Sequence, residues 1–368
     1  MKPNYFSRLA HFPPRIFPAS PTPRLVNFSP IAGVNIRARS TDVFWLFSFT
    51  VLLLFILLWG AATGSYQLSL LKSWQIILSP DSAPERLVRI IWEFRLPRLL
   101  AAALCGAALA IAGVILQSIT RNALASPGLI GVEAGASATM LLFVVIMPGL
   151  VPITLLPASA MLGGFSVAAL IWVLSSMAGY SPIRLVLVGV GITSMLSAFS
   201  EMLITYGDIE LVESALMWLG GSLHQVSWAQ VEVMVFWLIV PGVLAWLFFR
   251  PLNLLILGDQ VAFSRGVVHR KIIPFLLLLS VALTSASVAT AGTLTFVGLI
   301  APHIARRFCA DRHGALIPLS ALIGACLVAL GDTLGRSVFA PLQLPAGLVL
   351  VMVGAPYFIV LMSRLRKV

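Results

Sequence analysis

The chain has 368 residues, 59% hydrophobic and only 10% charged, whereas soluble domains carry roughly a quarter charged residues; a soluble globular protein is excluded. Ten spans of about 20 residues consume about 200 positions, so no large soluble domain fits beside them. The net charge of +11 flanks apolar runs instead of forming a basic patch with interleaved aromatics, so it orients the chain and does not mark a nucleic-acid partner.

Residues 1–42 hold seven prolines, six basic residues and one acid, Asp42, with no helical period. They predict a flexible, basic, Pro-rich cytoplasmic tail, because such a segment cannot bury enough apolar surface to order itself. Residues 43–368 predict one all-α membrane domain of ten transmembrane helices, at about 43–62, 97–118, 126–147, 157–177, 183–206, 228–249, 272–291, 297–309, 314–335 and 345–363. The eighth is too short to cross alone and holds Gly298 and Pro302, which predicts a broken helix whose freed backbone groups face protein or a watery cavity. Gly128-Leu129-Ile130-Gly131-Val132 is echoed by Gly298-Leu299-Ile300-Ala301-Pro302. The spacing fits two inverted four-helix halves, spans two to five and seven to ten.

An even number of spans puts both termini on one side. With the amino terminus inside, inner segments collect 18 of the 24 Lys and Arg and outer segments six; without the tail the division is 12 to six. The bias predicts a multi-pass membrane protein with both termini cytoplasmic. Cys105, Cys309 and Cys326 have neither disulfide nor metal spacing and read as packing residues.

The chain has no Gly-rich phosphate loop, no zinc-ligand pair on a helix and no serine or cysteine elbow. It is therefore expected to have no catalytic residue, no resident metal and no directly bound cofactor. If ATP powers it, the ATPase is another polypeptide. At the outer side, Arg95 and Arg98 flank Pro97, and Arg336 follows Asp332 by one helical turn. These arginines either snorkel, with Arg336 tied to Asp332, or are displayed to receive a soluble partner's carboxylates.

On the inner side, residues 250–267 predict two short helices broken at Gly258, with Asp259 capping the second and Gly266 ending it. Leu254, Leu255, Leu257, Val261, Ala262 and Phe263 are too apolar for a solvated loop, so the segment meets either the membrane surface or a partner's groove. Glu133 and Glu201 fall inside predicted spans. They line a cavity or join helices, or they form a proton relay, in which case the chain is a stand-alone proton-coupled secondary transporter.

The ordered motifs Arg95-Leu96-Pro97-Arg98, Thr120 to Val132, Leu254 to Gly266, Phe296 to Arg306, Leu344-Pro345-Ala346-Gly347 and Gly354-Ala355-Pro356 resemble the permease subunit of bacterial ABC importers for iron-siderophore, haem and cobalamin, the FecCD family. The resemblance runs from the first span to the carboxyl end and implies the type II ABC importer permease architecture. It further implies a second permease subunit as homo- or heterodimer, two cytoplasmic ATPase subunits that use the ATP, and a periplasmic or extracellular solute-binding protein. The implied cargo is a ferric siderophore, with cobalamin or haem as alternatives. By this resemblance Arg95, Arg98 and Arg336 dock the binding protein. Leu257, Gly258, Asp259, Ala262, Arg265 and Gly266, within coupling helices at about 253–267, seat in the ATPase. Ser181 and Pro182 stand at the inner gate, with Glu133 and Glu201 along the path. Pro182, Ile183 and Glu133 occupy positions where the family more often has small polar residues.

Overall fold

The computed structural model describes residues 25–28, 36–64, 66–152, 155–177, 181–224, 226–309, 312–338 and 342–365. Within the stretch expected to form a flexible tail, β1 (Leu25–Phe28) pairs antiparallel with β2 (Ile36–Arg39), and α1 (Ser40–Ala62) has already begun. Asp42 differs most from that expectation: it is buried, with both carboxylate oxygens 2.8 Å from the Arg312 guanidinium. A carboxylate removed from water is retained there because it is paired. The remaining residues of 1–42 lie outside the described ones.

After α1 come α2 (Leu70–Leu78) and α3 (Glu85–Arg89), which runs through a π-helical turn at Ile90–Arg95 into α4 (Leu96–Thr120). Pro97 has no N–H for a bond to Glu93, and the widened turn in front of it accommodates its ring. The chain continues as α5 (Val132–Leu141), α6 (Leu156–Ser176), α7 (Pro182–Tyr206), α8 (Ile209–Leu219), α9 (Trp228–Leu247), α10 (Phe249–Ile256), α11 (Asp259–Ser264), α12 (His269–Ala291), α13 (Val297–Cys309), α14 (His313–Ser337) and α15 (Ala346–Leu365). Among the described residues seven helical runs are long and apolar enough to cross a bilayer: α1, Glu85–Thr120, α6, α7, α9, α12 and α14. The predicted third and eighth spans correspond to the shorter α5 and α13, and the tenth to α15. This is a multi-pass membrane protein, helical among the described residues apart from one hairpin.

The centre of the bundle is α4, followed by α12 and α14, which are largely buried, whereas α1 and α7 expose most of their surface. Small side chains make that centre possible, because in lipid close backbone approach replaces the hydrophobic drive between helices. A Cβ at Gly106 would lie 2.2 Å from the Gly324 carbonyl oxygen, so α4 and α14 meet backbone to backbone. The other half repeats the theme, with Gly164 of α6 against Ser285 of α12. The packed pairs α4 with α14 and α12 with α6, and α5 with α6 and α13 with α14, are the pairs that two inverted four-helix halves require. Ahead of α13 the backbone unwinds, with Gly292 at φ 70° and Phe296 at φ 67°. At 13 residues, α13 spans only about 20 Å.

Two separate helices go beyond the sequence reading, as does α3, which lies ahead of the predicted start of the second span. α2, capped by the Ser69 hydroxyl accepting from the Lys72 N–H at 3.2 Å, and α8, capped by Asp208, occupy connections read as loops. Contacts divide the bundle into two ends: one carries Asp42, Ser118, Arg121, Asp259 and His313, the other Gly60, Arg98, His224, Asp332 and Arg336.

Candidate functional site

At the Arg98 end, three arginines come together from separate elements. Arg95 closes the π-helical turn, Arg98 lies one turn further into α4, and Arg336 sits in the last turn of α14. All three are buried. Helix α1 explains how: its final carbonyls have no partners within the helix and carry the negative end of its dipole. Arg95 Nη1 donates to the Ala61 carbonyl at 2.6 Å and Nη2 donates to that of Tyr66; Arg336 Nη2 donates to Gly60 at 2.7 Å and Nη1 to Thr63 at 3.3 Å. Gly60 permits the approach, since a Cβ there would lie 2.6 Å from Leu99 Cδ2.

Asp332, fully buried, is the carboxylate among them. Arg98 Nε donates to its two oxygens at 2.9 and 3.0 Å and Nη2 lies 2.8 Å from Oδ1, while Arg336 Nε lies 3.3 Å from Oδ2. Arg98 Nη1 also donates to Gln343 Oε1 at 2.8 Å and approaches His224 Nδ1 at 3.2 Å. Because a guanidinium only donates, Nδ1 is the acceptor and the ring proton is assigned to Nε2. The three arginines, His224 and Gln343 border a cavity of about 320 Å³ that also includes Tyr66, Ile90 and Phe94. Three guanidinium ions against one carboxylate leave the pocket at +2.

The structure thus brings Arg95, Arg98 and Arg336 to one place but does not display Arg95 and Arg98 as an open helix face. The local Asp332–Arg336 contact exists, yet the closer partner of Asp332 is Arg98, 234 positions away. His224, Gln343 and Tyr66 carry no sequence signal that would have assigned them to this pocket.

At the opposite end, α10 and α11 form an elbow. Gly258 joins them at φ 109° and Gly266 ends α11 at φ 86°, conformations that favour glycine. The Gly266 N–H donates to Phe263 O and the Val267 N–H to Ala262 O, both at 2.9 Å, as a glycine C-cap requires. Asp259 does not cap α11: the cap position is Gly258, and the carboxylate turns instead to the Arg121 guanidinium and to His269 Nε2 at 3.0 Å. A charged partner competes better for a carboxylate than a backbone N–H does. Burial pushes the Asp259 carboxyl up, but Arg121 and His269 outweigh it and hold the group below its ordinary value.

Leu257 is 64% and Phe263 73% exposed, and Val261 and Arg265 also face outward, whereas Ala262 is fully buried. The predicted coupling residues therefore divide. Leu257 and Arg265 are presented outward; Gly258, Ala262 and Gly266 shape the elbow. Asn253 Oδ1 fastens α10 from inside, accepting from the His313 N–H at 3.0 Å and Nδ1 at 2.7 Å, while His313 Nε2 lies 2.6 Å from Ser118 Oγ.

The predicted gate residues lie on the sparsely covered side. Ser181 is half-buried and extended, its carbonyl accepting from the Leu185 N–H at 3.0 Å, and Pro182 opens α7, where a missing N–H costs nothing. Residues 178–180 before them lie outside the described ones. Glu201 is exposed on α7 and Glu133 half-buried on α5; among the described residues they share no hydrogen bond or ion pair.

The model of the FecCD transport family matches residues 52–364. The iron(3+)-hydroxamate import system permease protein FhuG of Bacillus subtilis (strain 168) is 39% identical over 82% of this chain and 91% of its own length. The ferric enterobactin transport system permease protein FepG of Escherichia coli (strain K12) is 35% identical over 83% of this chain and 92% of its own. For the hemin transport system permease protein HmuU of Yersinia pestis the figures are 36%, 88% and 96%. Among solved structures, a metal-chelate type ABC transporter in an inward-facing conformation superposes with a TM-score of 0.76 at 29% identity, covering 88% of this chain and 99% of that one.

Proposed function

Because the chain belongs to the FecCD transport family, we propose that it is the membrane permease subunit of an ATP-driven importer whose cargo is a ferric siderophore. The family match across nearly the whole helical domain carries this reading. The helical part from Ser40 onward is the permease domain, and the residues before it are a cytoplasmic extension. ATP is hydrolysed by separate subunits.

A large polar chelate is too costly to pass through hydrocarbon, so a protein-lined path must replace its water while the two ends open in turn. The division of basic residues supports placing the Arg121 end in the cytoplasm. The +2 pocket then faces outward, suited to a carboxylate from a solute-binding protein. Arg98 and its neighbours are already oriented by Asp332 and the α1 carbonyls, so little ordering remains to be done on docking. Leu257, Val261 and Phe263 offer an apolar ridge to an ATPase. The exposed side of α7, with Ser181, Pro182 and Glu201 and with Glu133 beside it on α5, borders the path once a second permease subunit covers it.

The test is reconstitution. Ferric-siderophore uptake into proteoliposomes is expected only with ATP, the ATPase subunits and a loaded binding protein, and this chain alone is expected to be idle. Uptake by the chain alone under a pH gradient would replace this reading with a proton carrier using Glu133 and Glu201. Gln343 provides a local check because it is exposed and contacts Arg98 without carrying charge. Gln343→Glu is expected to weaken binding-protein association about tenfold at low salt and less at high salt, as rim charges do. Unchanged association at both would remove the pocket from docking.

A further inference from the structure

The elbow between α10 and α11 is a hinge with one external clip. Gly258 sits at φ 109° with nothing within 4 Å of where a Cβ would be, so no side chain packs against the break itself. Arg121, one position beyond the end of α4, bridges the break. Its Nε donates to the Leu255 carbonyl at 3.0 Å, in the last turn of α10, and its Nη2 donates to Asp259, the first residue of α11. One planar guanidinium therefore holds both sides of the break. His269, at the start of α12, reaches the same carboxylate at 3.0 Å. Arg121 itself is at φ 51°, a left-handed conformation unusual for a non-glycine residue. Such a conformation persists where the surroundings over-determine it, and here it directs the guanidinium across the break.

The two helices tied to Asp259 are α4 and α12, the corresponding first helices of the inverted halves and the most buried columns of the bundle. On the other side of the elbow, Leu257 and Phe263 face away from the protein. Resting on the importer reading above, we propose that Arg121, with His269, is the positioning element that transmits displacement of the α10–α11 elbow through Asp259 into α4 and α12. Stability is not the role of this cluster. Arg121 is 32% and Asp259 49% exposed at the side chain, and pairs so exposed contribute little to folding. Separate contacts anchor α10: Leu252 and Leu255 are buried and Asn253 is bound to His313. Cutting the clip leaves α10 seated by these contacts and α11 by buried Ala262, with the tie from Asp259 to α4 lost.

The experiment uses the full complex in proteoliposomes and measures assembly, ATP hydrolysis and chelate imported per ATP. Arg121→Gln is expected to assemble and hydrolyse ATP within about twofold of wild type, while chelate imported per ATP falls at least tenfold. His269→Gln is expected to lower that ratio by less, since Arg121 still holds Asp259. A second arm replaces the clip covalently: Arg121→Cys with Asp259→Cys is expected to be uncoupled with free thiols and recoupled when a short bifunctional thiol reagent joins them. The native Cys105, Cys309 and Cys326 are buried and do not compete. Wild-type import per ATP in Arg121→Gln overturns the proposal. So does failure of the cross-link to restore coupling, or hydrolysis and import that fall together in both variants. Absence of ATP-dependent uptake by the wild-type complex would instead overturn the importer reading, which keeps the two failures distinct.

Discussion

Replacing Asp332 with Asn is expected to destabilise the protein by about 3–5 kcal/mol, the usual cost of removing one partner from a buried ion pair. The carboxylate is fully buried and receives Arg98 through both oxygens, with Arg336 one turn away. Without it, three guanidinium ions share a low-dielectric pocket with no counter-charge, and hydrogen bonds to carbonyls compensate only part of their desolvation. The measurement is thermal unfolding of the detergent-solubilised protein. Glu85→Gln is the control: Glu85 and Arg89 form a 2.9 Å pair, but their side chains are 87% and 57% exposed, so a change below about 0.5 kcal/mol is expected. A combined Arg98→Met and Asp332→Leu variant is expected to recover only part of the loss, because it removes the Arg98 charge but still leaves Arg336 without its carboxylate. Wild-type stability in Asp332→Asn would mean that the arginines are screened by water and that the cluster does not hold α1, α4 and α14 together.

The contrast between Asp332 and Asp259 shows what was legible in the sequence. Spans are set by apolar length, so α1, α6, α7, α9, α12 and α14 fall close to their predicted ranges; α13 is as short as its apolar run predicted, but it runs unbroken through Gly298 and Pro302, and the unwound backbone lies ahead of it between Gly292 and Phe296. Gly258 and Gly266 were legible because a broken helix pair needs backbone conformations that glycine supplies. Local rules misled where a distant charge took precedence. Asp259 has the position of a capping residue, yet Arg121, 138 positions earlier, takes its carboxylate. Asp332 has an arginine one turn away, yet its strongest partner comes from α4. α2 and α8 were missed for another reason. At 9 and 11 residues they are too short to give a span signal, and charged neighbours such as Lys72 and Glu210 made them read as connections.

Gly113→Ala is expected to be more damaging than any exposed-face substitution, although it adds a single methyl group in a helix. The new Cβ would lie 1.8 Å from the Gly298 carbonyl oxygen and 2.6 Å from its carbonyl carbon. Both are backbone, so no flexible side chain can turn aside. Gly298 is itself confined, because a Cβ there would lie 2.9 Å from the Leu109 carbonyl oxygen and 2.6 Å from Pro127 Cδ. Three segments thus meet without intervening side chains: α4, the start of α13, and the turn leading to α5. Relieving the clash requires α4 and α13 to separate, which also breaks the Gln117 Nε2 bonds to Ala125 and Gly298 at 3.3 and 3.4 Å. Overpacking costs about 1–3 kcal/mol where side chains can shift, and backbone against backbone falls at or above the top of that range. Gly191 in α7 is the control: it is exposed, a Cβ there meets nothing within 4 Å, and Gly191→Ala is expected to be neutral or to gain up to about 1 kcal/mol from helix propensity. Yield of folded protein and the thermal midpoint of the two variants, compared in the same detergent, decide the matter. Equal behaviour of Gly113→Ala and Gly191→Ala would mean that α4 and α13 do not touch as closely as the structure places them.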